Sequence, residues 1–318
     1  MRLHHFHAAE GNFGDDMNAW FWDAVLPGWR DWPADATLMG IGTVLTAENL
    51  PAGRRLVVGS GTGYGTPPDL APAADWDIRA VRGPRTAARL GLDPALGLGD
   101  PAILLPRLAQ FADIPRGNDT VFVPHYKTVA LCDWPALCAG LGIVYQSPSD
   151  PAETVIRRLA GAGQVIAESM HAAIVADAFG TPWRVVRIAR AFNDFKWGDW
   201  AESLGAAPLD IYRFFPLLRR AQDAYLALRR AGRPRGPAPA PANAPTNTPA
   251  AGGASGAAPA RAEKDLLARS GLLDLSARRH LRRAAQGPFV LSDRDRLSAA
   301  QAALQAALDR VRRDYGPG

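Results

Sequence analysis

One stretch limits what this chain can fold into: an apolar run that passes directly into a helix pattern, QVIAESMHAAIVADAFGTP at 164–182. Val165, Ile166 and Ala167 read as the end of a buried strand and 172–179 as the helix after it. Glu168, Ser169, Met170 and His171 fall at the turn between them. In an open α/β sheet, ligands bind outside the carboxyl ends of the strands, where helix N-termini and loops converge. His171 is therefore a functional candidate, set against the alternative of a histidine packed under the sheet edge.

The same unit recurs along the chain. TLMGIGTVL at 37–45, RLVVG at 55–59 and residues 77–81 read as strands of a first half. TVFVPHYK at 120–127 and WRVVRI at 183–188 read as strands of a second half, beginning near Asn118. This strand–helix rhythm predicts an α/β protein with two Rossmann-like domains, at 1–117 and 118–230, facing each other across a cleft. Residues 231–262 consist mainly of Pro, Ala, Gly, Asn and Thr, too few apolar groups to order a core, and are expected to form a disordered linker. Beyond it, 263–318 reads as a basic helical tail. Ser292 with Asp295 resembles a capping box, and Leu297, Leu304, Leu308 and Val311 share one helix face. That helix can dock on the body, or its Arg310, Arg312 and Arg313 can meet an anionic membrane surface.

Charge is unevenly placed. Residues 1–230 hold 22 Lys+Arg against 24 Asp+Glu, whereas 231–318 hold 14 against 7, so the net +5 comes from the tail. The basicity therefore says little about the body's substrate, and nucleic acid is not an expected partner. Cys132 and Cys138 are spaced as neither a zinc knuckle nor a CxxC pair, which favours a reducing cytoplasm. No stretch approaches the roughly 18 apolar residues of a spanning helix.

Several candidate residues stay open between two readings. His4, His5 and His7 invite a metal reading, but no acid or cysteine stands at ligand spacing, and no metal is expected. Asp15 and Asp16, beside Asn12 and Asn18, either favour a helix dipole or grip sugar hydroxyls. GSGTGYG at 59–65 has phosphate-loop spacing, yet Pro67 and Pro68 block a following helix, so a loop lining the cleft is the better reading. Arg82 and Arg85 flank Pro84 at a helix start, either as an anion clamp or as solvated surface groups.

Taken in order, GNFGDDMN (11–18), GSGTGYG (59–65), VRGPRTAARLG (81–91), GDPAILL (99–105), VPHYK (123–127) and ESMHAAIVADAFGTP (168–182) resemble the polysaccharide pyruvyl transferase family. FKWGDW (195–200) narrows the likeness to bacterial exopolysaccharide members of the succinoglycan type. The resemblance implies a GT-B-like fold, phosphoenolpyruvate as donor and a sugar diol of a lipid-linked cell-surface glycan precursor as acceptor. With the cysteine usage pointing to the cytoplasm and the basic tail offering a peripheral contact at the inner face of the membrane, the expected enzyme is cytoplasmic, and phosphoenolpyruvate, as co-substrate, leaves no cofactor or metal required. Some members carry an Arg two residues before the histidine. Here that position is Ser169, so the donor's charge falls to Arg82, Arg85, Lys127 or Lys196.

Making a ketal from phosphoenolpyruvate requires an acid, a base and a cationic clamp. His171 is the expected acid/base, and His125 a second group that protonates the leaving phosphate or hydrogen-bonds it. Asn12, Asp15, Asp16, Asn18 and Glu168 are the acceptor-side candidates. A nucleotide-sugar glycosyltransferase or a non-catalytic membrane-associated scaffold would suit the same architecture.

Overall fold

The computed structural model describes residues 1–33, 35–188, 192–214 and 272–317. The expected linker at 231–262 lies outside the described residues, as does the first part of the tail at 263–271.

Two parallel sheets organise the chain. The first runs in sequence order, β1 (Arg2–His4), β2 (Ala36–Met39), β3 (Arg54–Ser60) and β4 (Trp76–Val81). Helices α1 (Phe13–Asp16) and α2 (Asn18–Val25) follow β1, and α3 (Pro84–Arg89) follows β4. Strand β2 stops at Met39 and not at residue 45, because a glycine pair redirects the chain. Gly40 leaves room for the Trp22 ring, and Gly42 adopts a φ of 119°, which disfavours any side chain.

The second sheet is built from β5 (Thr120–Val123), β6 (Val144–Tyr145), β7 (Gln164–Ala167), β8 (Trp183–Arg187) and β9 (Tyr212–Arg213). Helices α4 (Trp134–Ala139), α5 (Ala152–Gly161), α6 (Met170–Ala178) and α7 (Asp194–Ser203) link these strands. Its order is β6-β5-β7-β8-β9, so the chain leaves β5 toward one edge and returns on the other side. That reversal makes the carboxyl ends of β5 and β7 a topological switch point, where a crevice forms without further design.

Helix α6 explains how the halves meet. All nine of its residues are buried, seven of them apolar. It packs on β7, β8 and α5, and also on the turn Pro101–Arg107 from the first half. One apolar cluster therefore runs through both halves, from Phe13, Trp22 and Leu38 to Val165, Ile174 and Trp200. The helix starts at Met170, two residues earlier than its apolar pattern predicts, which places His171 in its first turn.

The C-terminal segment is helical as expected, in α8 (Leu272–Ala284) and α9 (Arg294–Tyr315). The face formed by Leu297, Leu304, Leu308 and Val311 is buried in the body's core. The cap is Asp293, whose side chain accepts the Asp295 and Arg296 N–H groups; Ser292 is drawn elsewhere. Its hydroxyl donates to Asp177 Oδ2 at 2.6 Å and its N–H to Oδ1 at 2.8 Å. Asp177, fully buried on α6, also accepts from Trp183 Nε1 at 2.9 Å and pairs with Arg294 at 2.9 Å. No helix among the described residues is long and apolar enough to cross a membrane.

Asp177 thus clamps the last helix to α6. Replacing it with alanine strands two buried N–H donors and a guanidinium, so Asp177→Ala should cost about 3–5 kcal/mol, read as a lower urea midpoint.

Candidate functional site

The switch point opens into a cavity of about 270 Å³. Asn12, Asp15, Thr43 and Tyr64 line it from the first half, and His125, Lys127, Ser169, His171 and Lys196 from the second. A smaller cavity of about 50 Å³ adjoins it, sharing Tyr64, His125, Lys127, Met170 and Lys196 and adding Glu168, Asn193 and Trp197.

Glu168 fixes the floor. It is buried at the end of β7 and its Oε2 accepts the His125 N–H at 3.0 Å and the Thr128 hydroxyl, while Oε1 accepts the Ile188 N–H at 2.9 Å. One carboxylate thereby ties together the chain following β5, β7 and β8. His125 is oriented by its own loop, because its Nδ1 accepts the Lys127 N–H at 3.2 Å, which leaves Nε2 as the donor nitrogen. Burial, reinforced by the Lys196 and Lys127 charges, pushes its pKa down to about 4.

Two of the chain's three lysines lie at this cavity. Lys127 Nζ sits 5.5 Å from the Tyr126 ring centre and Lys196 Nζ 5.3 Å from that of Tyr64. Among the described residues, neither forms an ion pair with a carboxylate. Their positive charge is available to a ligand.

Asp15 and His171 approach from opposite halves. Asp15 is 8% exposed, and burial raises its pKa, opposed by His171, Lys196 and the Asn12 amide that donates to it. The His171 ring lies against Gly14, where a side-chain carbon would collide with Nδ1, so the glycine permits the contact. The Nε2 of the ring points at Asp100 Oδ2, 3.5 Å away.

The expected residues divide into two groups. Asn12, Asp15, His125, Lys127, Ser169, His171 and Lys196 share the larger cavity, and Glu168 borders the smaller one. Arg82, Arg85, Asp16 and Asn18 line neither. Arg82 is fully buried; its Nε donates to Asp199 at 3.1 Å, Nη1 to the Thr43 hydroxyl at 2.7 Å and Nη2 to the Thr62 carbonyl at 2.8 Å. Arg85 pairs with Glu202 at 2.6 Å. Asp16 accepts the Asn12 N–H at 2.9 Å, and Asn18 bonds the Asp15 and Ile41 carbonyls while accepting from Trp22 Nε1.

The glycine loop at 59–65 contributes Tyr64 to both cavities. Its Gly61 makes room for the Arg82 guanidinium, and its Gly63 carbonyl accepts from Asn193 Nδ2 at 2.6 Å. Phe6 and Tyr64 were not expected as site residues. They are the two exposed large aromatic side chains among the described residues, 42% and 45% exposed, and both line the larger cavity. An aromatic left in water at a cavity mouth is the available signal, and it depends on exposure, which local sequence does not give.

Residues 73–189 match the family profile described as "Polysaccharide pyruvyl transferase". "Succinoglycan biosynthesis protein ExoV" of Rhizobium meliloti (strain 1021) is 45% identical over 206 residues, a region covering 64% of this chain and 65% of that protein. The chain thus spans slightly less than two thirds of that relative's length. The profile match encloses His125, Lys127, Glu168, Ser169 and His171.

His125 should titrate near pH 4 by NMR and stay neutral above that. Since its folded pKa lies below the ordinary 6.5, it contributes stability that is complete above about pH 6.5 and lost as pH falls toward 4. His125→Asn should flatten that part of a stability–pH curve.

Proposed function

We propose, from the premise that the chain carries a polysaccharide pyruvyl transferase domain at residues 73–189, that its cavity forms a pyruvate ketal on an exopolysaccharide sugar. Phosphoenolpyruvate is the donor and inorganic phosphate the product. The observation that carries this reading is the pair Lys127 and Lys196, two lysines without carboxylate partners among the described residues, in one cavity with His125 and His171. A dianionic phosphate and a carboxylate call for cations of this kind.

In this reading the lysines hold the phosphate and carboxylate. His125, kept neutral and turned so that Nε2–H donates, hydrogen-bonds the phosphate and does not protonate it. Ser169, where some family members have arginine, adds a hydroxyl. Asp15 and His171 face the acceptor. The raised pKa of Asp15 makes it a better base than an ordinary carboxylate for drawing a proton from a sugar hydroxyl.

The chemistry balances as follows. The donor's methylene carbon gains a proton and becomes a methyl group; C2 forms a bond to one acceptor oxygen. Phosphate then departs as the second acceptor oxygen bonds to C2. Of the two hydroxyl protons lost, one replaces the proton used at the methylene and the other leaves with phosphate. His171, in the first turn of α6, is the acid/base that moves them. Glu168 positions and does not react, because both of its oxygens accept hydrogen bonds from this chain. Arg82 sits behind Thr43 and supports the cavity wall, and Arg85 belongs to the contact between α3 and α7.

On the acceptor side, Phe6 offers an aromatic face to the apolar side of a sugar ring while Asn12 and Asp15 meet its hydroxyls. Two parallel sheets meeting at one cavity support a GT-B-like pairing of Rossmann-like units at 1–117 and 118–230. In this reading the reaction runs in the cytoplasm and the acceptor is a lipid-linked glycan. Contact with the membrane's inner face would have to use the arginines of α9, because its apolar face is buried.

Incubation with phosphoenolpyruvate and a lipid-linked glycan should release phosphate and give a pyruvylated product. His171→Ala should lower the rate by about 10²–10⁴-fold. Lys196→Met should raise KM for phosphoenolpyruvate about tenfold or more while leaving kcat less affected. Saturable binding of a UDP-sugar, with none of phosphoenolpyruvate, would favour a nucleotide-sugar glycosyltransferase and overturn the proposal.

A further inference from the structure

Among the described residues, two sealed and unpartnered polar atoms face one another at the edge of the cavity: His171 Nε2 and Asp100 Oδ2. They stand 3.5 Å apart, on side chains 8% and 0% exposed. The separation exceeds an aligned N–H···O bond by about 0.5 Å, which accounts for their meeting an ion-pair distance without a hydrogen bond. A buried polar group left without a partner is unfavourable, so the pairing has a driving force and needs only a small approach. Catalytic hydrogen bonds are commonly long in ligand-free sites and tighten when the site fills.

Asp100 is well held for such a role. Its Oδ1 accepts the Ala102 N–H at 3.0 Å and caps the turn Pro101–Arg107, the segment on which α6 rests. It reaches His171 from the other half of the molecule. On the far side of the ring, Gly14 lets Nδ1 come close to the backbone beside Asp15.

We propose that Asp100 is the positioning residue for His171. Its Oδ2 accepts Nε2–H, fixes that tautomer and leaves the Nδ1 lone pair for the ligand; when Nδ1 takes up a proton, the carboxylate offsets the imidazolium charge. The same division of labour operates wherever a buried carboxylate orients a catalytic imidazole. It also makes the site depend on both halves, since ring and carboxylate come from different sheets. The inference rests on the reading of His171 as the acid/base, but its test does not depend on turnover.

The experiment is ¹⁵N-imidazole NMR of the full chain at neutral pH, with the His171 signal assigned by its loss in His171→Gln. The wild type should show the Nε2-protonated tautomer. Asp100→Asn keeps an oxygen for the Ala102 N–H but turns an amide toward the ring, so the signal should move to the Nδ1-protonated form with the unfolding midpoint little changed. In the phosphate-release assay its kcat should fall at least about tenfold, with KM for phosphoenolpyruvate changing less than about threefold. A wild-type ring protonated at Nδ1, or an Asp100→Asn spectrum matching wild type, would overturn the assignment. The wild-type tautomer decides the matter even where the variant does not fold. A wild type that shows the expected tautomer but releases no phosphate would overturn the functional reading and leave this one standing.

Discussion

The second half's side of the cavity depends on the buried carboxylate of Glu168. Placing a charge at the end of a central strand is expensive unless its oxygens are satisfied, and here they are satisfied by the segments that must be held in place. The His125 N–H and the Thr128 hydroxyl belong to the chain leaving β5, and the Ile188 N–H to the chain leaving β8. Remove the carboxylate and two N–H groups and the Thr128 hydroxyl lose a partner, and the loop carrying His125 and Lys127 loses its side-chain tie to β7. The strand order supplies a crevice at β5 and β7; Glu168 determines which side chains face it.

A second constraint follows from α6. A helix buried on every side needs partners on every side, and the second sheet with α5 cannot cover all of them. The first half supplies the rest through Pro101–Arg107 and α1, which is why Gly14 must be small and why Asp100 reaches His171. Arg82 and Asp199 tie the halves together a second time, both fully buried; Asp199 also takes the Thr86 N–H and hydroxyl at 2.8 and 2.6 Å. A dry pair of this kind adds little net stability over apolar packing, but losing one partner leaves an uncompensated charge. Its effect is to fix one relative placement of α3 and α7, and through Thr43 one shape for the cavity wall.

The strands were legible because each is a compact apolar run, and His171 because it follows such a run at a strand-to-helix turn. The boundary errors have local causes. Gly40 and Gly42 end β2 early, and Ser292 gives up capping for Asp177, a partner 115 positions away. What the sequence concealed are pairings between distant segments. Arg82 looked like half of an anion clamp because guanidinium at a helix start has that use, and nothing in local periodicity marks Asp199, 117 residues on, as its partner. Asp100 caps the turn Pro101–Arg107 through one oxygen, and its second oxygen comes to 3.5 Å from His171 Nε2 only once the two halves have folded together.

The division among the cations bears most directly on function. Arginine, with its planar fork of donors, suits fixed pairing, and Arg82, Arg85, Arg187 and Arg294 each meet a carboxylate. Lysine is scarce, three in 318 residues, and two of them point their charge at one cavity from separate segments. Burial is the larger cause of the low pKa of His125, and two ammonium groups beside the half-buried imidazole add to it by repelling its proton. A folded chain gains nothing in stability from that repulsion. Cations gathered at one cavity without carboxylate ion pairs among the described residues fit a site whose partner arrives from outside.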